Sequence, residues 1–173
     1  MTVKQEKILQ SALQLFALEG YHATSTSKVA KQAGVSEGLI FKHYTSKEGL
    51  LNAVVEEGEK RFKNLYAEIV LEDKPRQVIK KTLELPFIVP EEEYGFWKLQ
   101  FKLKWELKDY NTQKMQPMMF ALSNAFKNLE YDNPELEAEL VLHILDGVAS
   151  AILKDMVTDK EELRNFILTK YKL

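Results

Sequence analysis

Residues 24–47, TSTSKVAKQAGVSEGLIFKHYTSK, constrain the fold more than any other stretch of this chain. They read as two short helices crossing steeply about a tight turn. Ala30 falls where the helices approach, and only a small side chain fits there. Gly34 follows four residues later, in the turn Ala33-Gly34-Val35, where a positive φ is cheap only for glycine. Val35 fills the turn from the inside, and Ile40 packs back toward Val29 and Ala30. This is the spacing of a helix-turn-helix, whose second helix enters the major groove of DNA. The exposed face of that helix is expected to carry Glu37, Gly38, Phe41 and Lys42. Its N-terminus at Ser36 can receive a phosphate through backbone N–H groups. Lys47, at the start of the next helix, is placed for a backbone phosphate. A compact three-helix subdomain with solvated lysines shares part of this pattern, because short Ala-x-x-x-Gly spacings recur by chance. The full spacing, with its flanking helices, favours DNA.

The rest of the chain reads as helices with short joints. No alternating strand pattern has useful length, and the 7 Gly and 5 Pro fall where helices should break. The first helix is expected over Val3–Glu19, with Ile8, Ala12, Leu15 and Phe16 as its apolar face. Gly20 should end it in the left-handed cap conformation. The second covers residues 25–32, opened by Thr24 or Ser25. Ser36 caps a third, running to about His43. Ser46 caps a fourth, with Glu48 in its first turn, continuing to about Val70. Pro75 suits the first turn of a fifth, and Pro86 and Pro90 bracket the joint after it. A sixth helix is expected over 91–108 and a seventh over 112–129, with Pro117 in its first turns. After the stop at Asp132-Asn133-Pro134, a long apolar eighth covers 135–156. Asp159 caps a last helix, running to about Tyr171. The fold class is therefore all-α, about nine helices: a three-helix helix-turn-helix domain over residues 1–45 and a helical bundle over residues 46–173.

Composition narrows the function. None of the 173 residues is cysteine, which excludes disulfides, thiolate metal sites and a cysteine nucleophile, and fits a reducing cytoplasm. The polar start, Met1 to Lys7, lacks the apolar stretch of a signal peptide, and no apolar run approaches bilayer length. Net charge is −2, but residues 1–50 hold six Lys against four Glu. The N-terminal part is thus the one segment whose balance suits phosphate.

The stretch from Ile8 to Leu51 resembles the N-terminal domain of the TetR family of bacterial transcriptional regulators. The matching pieces are Ile8-Leu9, Ala12-Leu13, Phe16, Gly20-Tyr21, Thr24, Val29-Ala30, Ala33-Gly34-Val35-Ser36, Gly38, Ile40-Phe41, His43-Tyr44, Ser46-Lys47-Glu48 and Leu50-Leu51. The resemblance implies that Thr24 and Ser25 touch phosphate at the start of the second helix. It implies that Ser36, Gly38, Phe41, Lys42 and His43 lie on or near the recognition surface, and that Lys47 holds a phosphate. Four positions depart from the family pattern. Phe41 stands where a Tyr hydroxyl often meets phosphate, and Leu39 where a small polar residue often faces DNA. Lys28 replaces an acidic residue that often completes a capping box with Ser25, and Ser27 replaces a frequent Arg. These changes predict modest affinity, or a site read with more apolar contact to thymine methyls. Lys42 is expected to carry the largest base or phosphate contribution.

Beyond residue 51 the resemblance is one of architecture. It implies a cavity among the fourth to seventh helices for a small apolar or aromatic effector. The candidate lining residues are Phe62, Tyr66, Trp97, Phe101, Trp105, Met115 and Met119. Taken singly, each is better read as core, and it is the group that suits a cavity. It also implies that the last two helices pair with their mates across a two-fold axis, making a homodimer on palindromic operator DNA. Leu140, Ile144, Gly147, Val148, Ala151 and Ile152 are the candidate interface, with His143 a polar residue nearby. The function implied is that of a repressor controlled by a small molecule. A helical binding protein that kept the fold and lost operator recognition is the alternative. An enzyme is not expected: His22, His43 and His143 sit in no recognisable motif, and the single Glu-x-x-His spacing, Glu19 to His22, is interrupted by Gly20. No catalytic residue, metal site or cofactor is expected.

Overall fold

The computed structural model describes residues 1–106 and 115–173, apart from the side chains of Leu103, Trp105 and Glu106. The described residues form nine α-helices and no strand. They are α1 (Val3–Glu19), α2 (Thr26–Ala33), α3 (Glu37–Tyr44), α4 (Lys47–Val70), α5 (Pro75–Ile88), α6 (Tyr94–Glu106), α7 (Gln116–Asn128), α8 (Pro134–Leu153) and α9 (Lys160–Lys170). A 3-10 turn at Glu91–Glu93 precedes α6. The ends expected for the sixth and seventh helices at Lys108 and Thr112 lie outside the described residues. None of the described helices is long and apolar enough to cross a membrane.

The helices gather into two compact units. The first comprises Met1–Arg61 and Glu92–Lys108. Its core is built from Ile8, Ala12, Leu15 and Phe16 of α1, Val29, Ala30 and Ala33 of α2, and Ile40 of α3. Leu50, Leu51 and Val54 of α4 and Leu99 of α6 complete it. The i, i+4 spacing from Ile8 to Ala12 to Phe16 puts these side chains on one face of α1, and all three have no exposed surface. The second unit comprises Phe62–Glu91 and Asp109–Leu173. Its core joins Tyr66 and Ile69 of α4, Val78, Ile79 and Leu83 of α5, and Met118, Leu122 and Phe126 of α7. Ala138 and Val141 of α8 and Ile167 and Leu168 of α9 close it.

Local chemistry fixes most helix ends. Thr2 and Gln5 form a reciprocal capping box on α1, a start signal that sequence reasoning missed. The Ser46 hydroxyl accepts from the Gly49 amide at 2.9 Å, and an Asp159 carboxylate oxygen from the Glu162 amide at 2.8 Å. Gly20 does end α1, but at φ 90° and ψ 155°, a region open essentially to glycine alone, and not in the left-handed cap conformation expected.

Two boundaries differ from expectation. Pro86 does not end α5. The helix runs through it to Ile88, with Leu85 and Pro86 both buried. Only one backbone bond is forgone so near the helix end, and packing against α7, α8 and α9 holds the turn in place. The eighth helix stops at Leu153, three residues short of Met156. Asp155, with φ 55°, takes the left-handed position that ends it, and the Met156 amide donates back to the Ala151 carbonyl. Glu130 after α7 and Lys172 after α9 repeat this device, with φ 60° and 54°. None of the three is a glycine, so none announces itself in the sequence.

Candidate nucleic-acid interface

The turn between α2 and α3 follows directly from its glycine. Gly34 lies at φ 67° and ψ 37°, the left-handed cap. The Val35 amide donates to the Ala30 carbonyl at 3.0 Å and the Gly34 amide to that of Lys31 at 3.3 Å. This paired bonding ends α2 and turns the chain into α3. The Thr26 hydroxyl then donates to the Glu37 carboxylate at 2.6 Å, tying the start of α2 to the start of α3.

The side chains of α3 divide cleanly. Ile40 is fully buried. The Tyr44 hydroxyl donates to the Gln5 carbonyl at 3.3 Å, and burial raises the pKa of this phenol. His43 Nδ1 lies 3.4 Å from Gln5 Nε2. Three α3 residues are exposed: Gly38, Phe41 and Lys42. Phe41 keeps 45% of its surface exposed. A Cβ added at Gly38 would meet nothing within 4 Å, so the backbone there lies open. Leu39 is half-buried. With Lys4, Lys31 and Ser36 it lines a shallow depression of about 400 Å³ beside α3.

The expected phosphate contacts fare differently. Ser25 is exposed at the N-cap of α2, where its hydroxyl accepts from the Lys28 amide at 3.2 Å. The other half of a capping box is absent, as Lys28 implied. That lysine instead pairs with Glu19 at 2.6 Å, bracing α2 against the end of α1. Ser36 occupies the N-cap of α3 but makes no side-chain capping bond; it is exposed. Lys47 donates to the His22 carbonyl at 3.3 Å, with its ammonium 4.5 Å from the centre of the Tyr21 ring. Burial, then the Glu48 charge, raises the Tyr21 pKa. Thr24 is the correction. It is 1% exposed, and its hydroxyl donates to the Gly20 and Leu15 carbonyls at 2.9 and 3.3 Å. Its hydrogen-bonding capacity is committed inside the protein, so it is not a phosphate ligand.

The seven residues expected to line an effector cavity divide between the units. Phe62 and Tyr66 pack edge to face in the second unit, ring centres 4.9 Å apart. Burial raises the Tyr66 pKa. Met115 and Met119 are half-buried against the same core. Trp97 and Phe101 belong to the first unit, where Trp97 Nε1 donates to Glu93 at 3.1 Å and Phe101 is half-buried. The Trp105 side chain lies outside the described residues.

Of the expected interface residues on α8, Leu140 is 50% exposed. Gly147 is exposed, and Ile144, Val148 and Ala151 are half-buried. Ile152 is 2% exposed, so it is core and not available to a partner. His143 is exposed and lies 3.6 Å from Glu139, one turn away. Sequence reasoning passed over Leu136 and Phe166, at 64% and 59% exposure.

Residues 8–54 match the family described as bacterial regulatory proteins, tetR family. A curated relative, the uncharacterised HTH-type transcriptional regulator YerO of Bacillus subtilis, is 31% identical over 91 residues. That alignment takes in 50% of this chain and 31% of the relative, so the chain covers about a third of the relative's length. Among solved structures, a TetR-like transcriptional regulator from Rhodococcus sp. RHA1 superposes with a TM-score of 0.80 at 18% identity. The superposition covers 98% of this chain and 93% of that one. AibR, solved with isovaleryl coenzyme A and operator DNA, gives 0.72 at 16% identity, over 95% and 96% of the two chains. At such identities the structures establish the fold alone. Residues 8–54 of the chain are thus similar to the tetR family of bacterial regulatory proteins, and its described helices share the fold of these solved regulators.

Proposed function

We propose that the protein is a homodimeric, sequence-specific DNA-binding repressor whose affinity for a palindromic operator is set by a small apolar or aromatic effector. The observation that carries this reading is α3. A turn held by Gly34 presents Gly38, Phe41 and Lys42 outward while Ile40 anchors the helix in the core. A helix so mounted fits the major groove. Residues 1–45 act as the reading head and residues 46–173 as the sensing and dimerising part. Ser25, Ser36 and Lys47 contact phosphate, and Lys42 contributes most to binding. His43, held by Gln5, steadies the end of α3.

Phe62, Tyr66, Met115 and Met119 of the second unit are the proposed effector contacts. The solved relative that carries both isovaleryl coenzyme A and operator DNA supports joint control by ligand and duplex. Leu140, Ile144, Gly147, Val148 and Ala151 form the proposed two-fold seam. The 50% exposure of Leu140 on a helix this apolar supports it. Effector binding favours one spacing of the two heads over another by its differential affinity, and α4 passes the shift along the chain.

Selection of bound sequences from a random duplex pool tests the reading. The expected result is a palindrome whose half-sites lie about one DNA turn, roughly 34 Å, apart. A folded dimer that enriches nothing, alone or with effector candidates, overturns it.

A further inference from the structure

The surface of α3 is unusual in what it withholds from a base edge. Sequence is read in the major groove chiefly by amides, guanidinium groups, carboxylates and hydroxyls. On α3 such groups already have partners within the protein. Glu37 accepts from Thr26, His43 meets Gln5, and the Tyr44 hydroxyl is given to the Gln5 carbonyl. The exposed trio then offers no side chain at Gly38, a point charge at Lys42 and an aromatic ring at Phe41. That ring is 45% exposed, so the free protein hydrates apolar surface that only an apolar contact recovers. It has no group to give a phosphate. The apolar feature of the major groove is the C5 methyl of thymine.

We infer that Phe41 is a specificity-determining residue that packs against a thymine methyl in each operator half-site. This rests on the functional reading above and names what its surface reads. Gly38 lies three residues before Phe41, on the same side of α3, and a Cβ there would meet nothing within 4 Å. The missing side chain lets a base pair approach the ring closely. Lys42, beside Phe41, supplies attraction to the duplex without competing for the methyl, because an ammonium is a donor only.

The test uses the full-length protein and the selected operator. Each thymine is replaced in turn by deoxyuridine at both symmetric positions, which removes the methyl and nothing else. At one symmetric thymine the wild type loses affinity about fourfold per half-site, roughly fifteenfold for both, the worth of one methyl-sized apolar contact on each side. The Phe41→Ala protein binds the thymine and deoxyuridine duplexes equally, with an unchanged salt slope, since no phosphate contact is lost. The inference is overturned if no thymine is sensitive in the wild type. It is also overturned if the same thymine stays equally sensitive in Phe41→Ala, or if that variant has a shallower salt slope. A wild type that selects no operator overturns the functional reading and this inference together. A wild type that selects an operator but ignores every methyl overturns this inference alone.

Discussion

Thr24 shows how one hydroxyl can be claimed by the interior. It serves two carbonyls near the end of α1, those of Leu15 and of the capping Gly20. Thr24→Val keeps the shape and removes the donor, and is expected to cost about 1–3 kcal/mol in urea denaturation. The salt dependence of DNA binding stays as in the wild type, which separates this role from a phosphate contact. Lys42→Ala is expected to act in the opposite way, with stability unchanged and the operator salt slope reduced by about one. Glu72 gives a prediction in pH. Its carboxylate accepts from the Lys81 ammonium at 2.6 Å and from the Lys74 amide at 3.1 Å, and these bonds hold its pKa at about 2 against an ordinary 4.5. A carboxyl depressed in the folded state stabilises fully above about pH 4.5 and loses that contribution as pH falls toward 2. Glu72→Gln should flatten the acid limb of a stability curve in that window and leave the slope near neutrality unaltered. Little of this was legible in the sequence. Gly34, Ala30 and Ile40 declared themselves because steric need selects a residue type. Thr24 reads the same whether its hydroxyl faces a phosphate or a carbonyl, and the fold alone decides which.

Among the helices, starts were easier to read than stops. Ser46 and Asp159 cap as their types suggest, and Gly34 marks the end of α2. The ends of α7, α8 and α9 were obscure, because Glu130, Asp155 and Lys172 take the left-handed position where glycine is usual. Each holds a conformation that costs an L-residue about 1–2 kcal/mol. Glu130→Gly is therefore expected to stabilise the protein by about 1 kcal/mol in thermal denaturation, the Tyr131 amide keeping its bond to the Phe126 carbonyl. The converse holds inside α4. A methyl added at Gly58 would fall 2.5 Å from Gln100 Cδ, and Gln100 is 7% exposed with its amide nitrogen unpartnered among the described residues. Glycine inside a helix normally costs about 1 kcal/mol against alanine. Here it makes room for a buried amide. Gly58→Ala should fail to stabilise the wild type and should stabilise Gln100→Ala by about 1 kcal/mol, a coupling that a double-mutant cycle in urea reads directly. Equal effects in both backgrounds would refute the close approach.

For the whole molecule, a chain with cores in two compact units leaves apolar surface on α8 and α9 that neither core uses, with Leu136, Leu140 and Phe166 as examples. If that surface is the two-fold seam, Leu140→Glu should shift the sedimentation coefficient from dimer to monomer and weaken operator binding, since two linked heads bind far more tightly than one. The overall plan was legible because helical periodicity and a helix-turn-helix spacing leave few alternatives. The assignment of Ile152 to a surface was not, because an apolar residue on an apolar helix carries no mark of whether it faces its own core or a partner. The empty place at Gly38 has a further consequence. A side chain could be installed there by a single codon change without displacing anything, and most replacements would favour the helix over glycine. If α3 reads DNA as proposed, its preference can change by substitution at this place without the new Cβ meeting the rest of the fold.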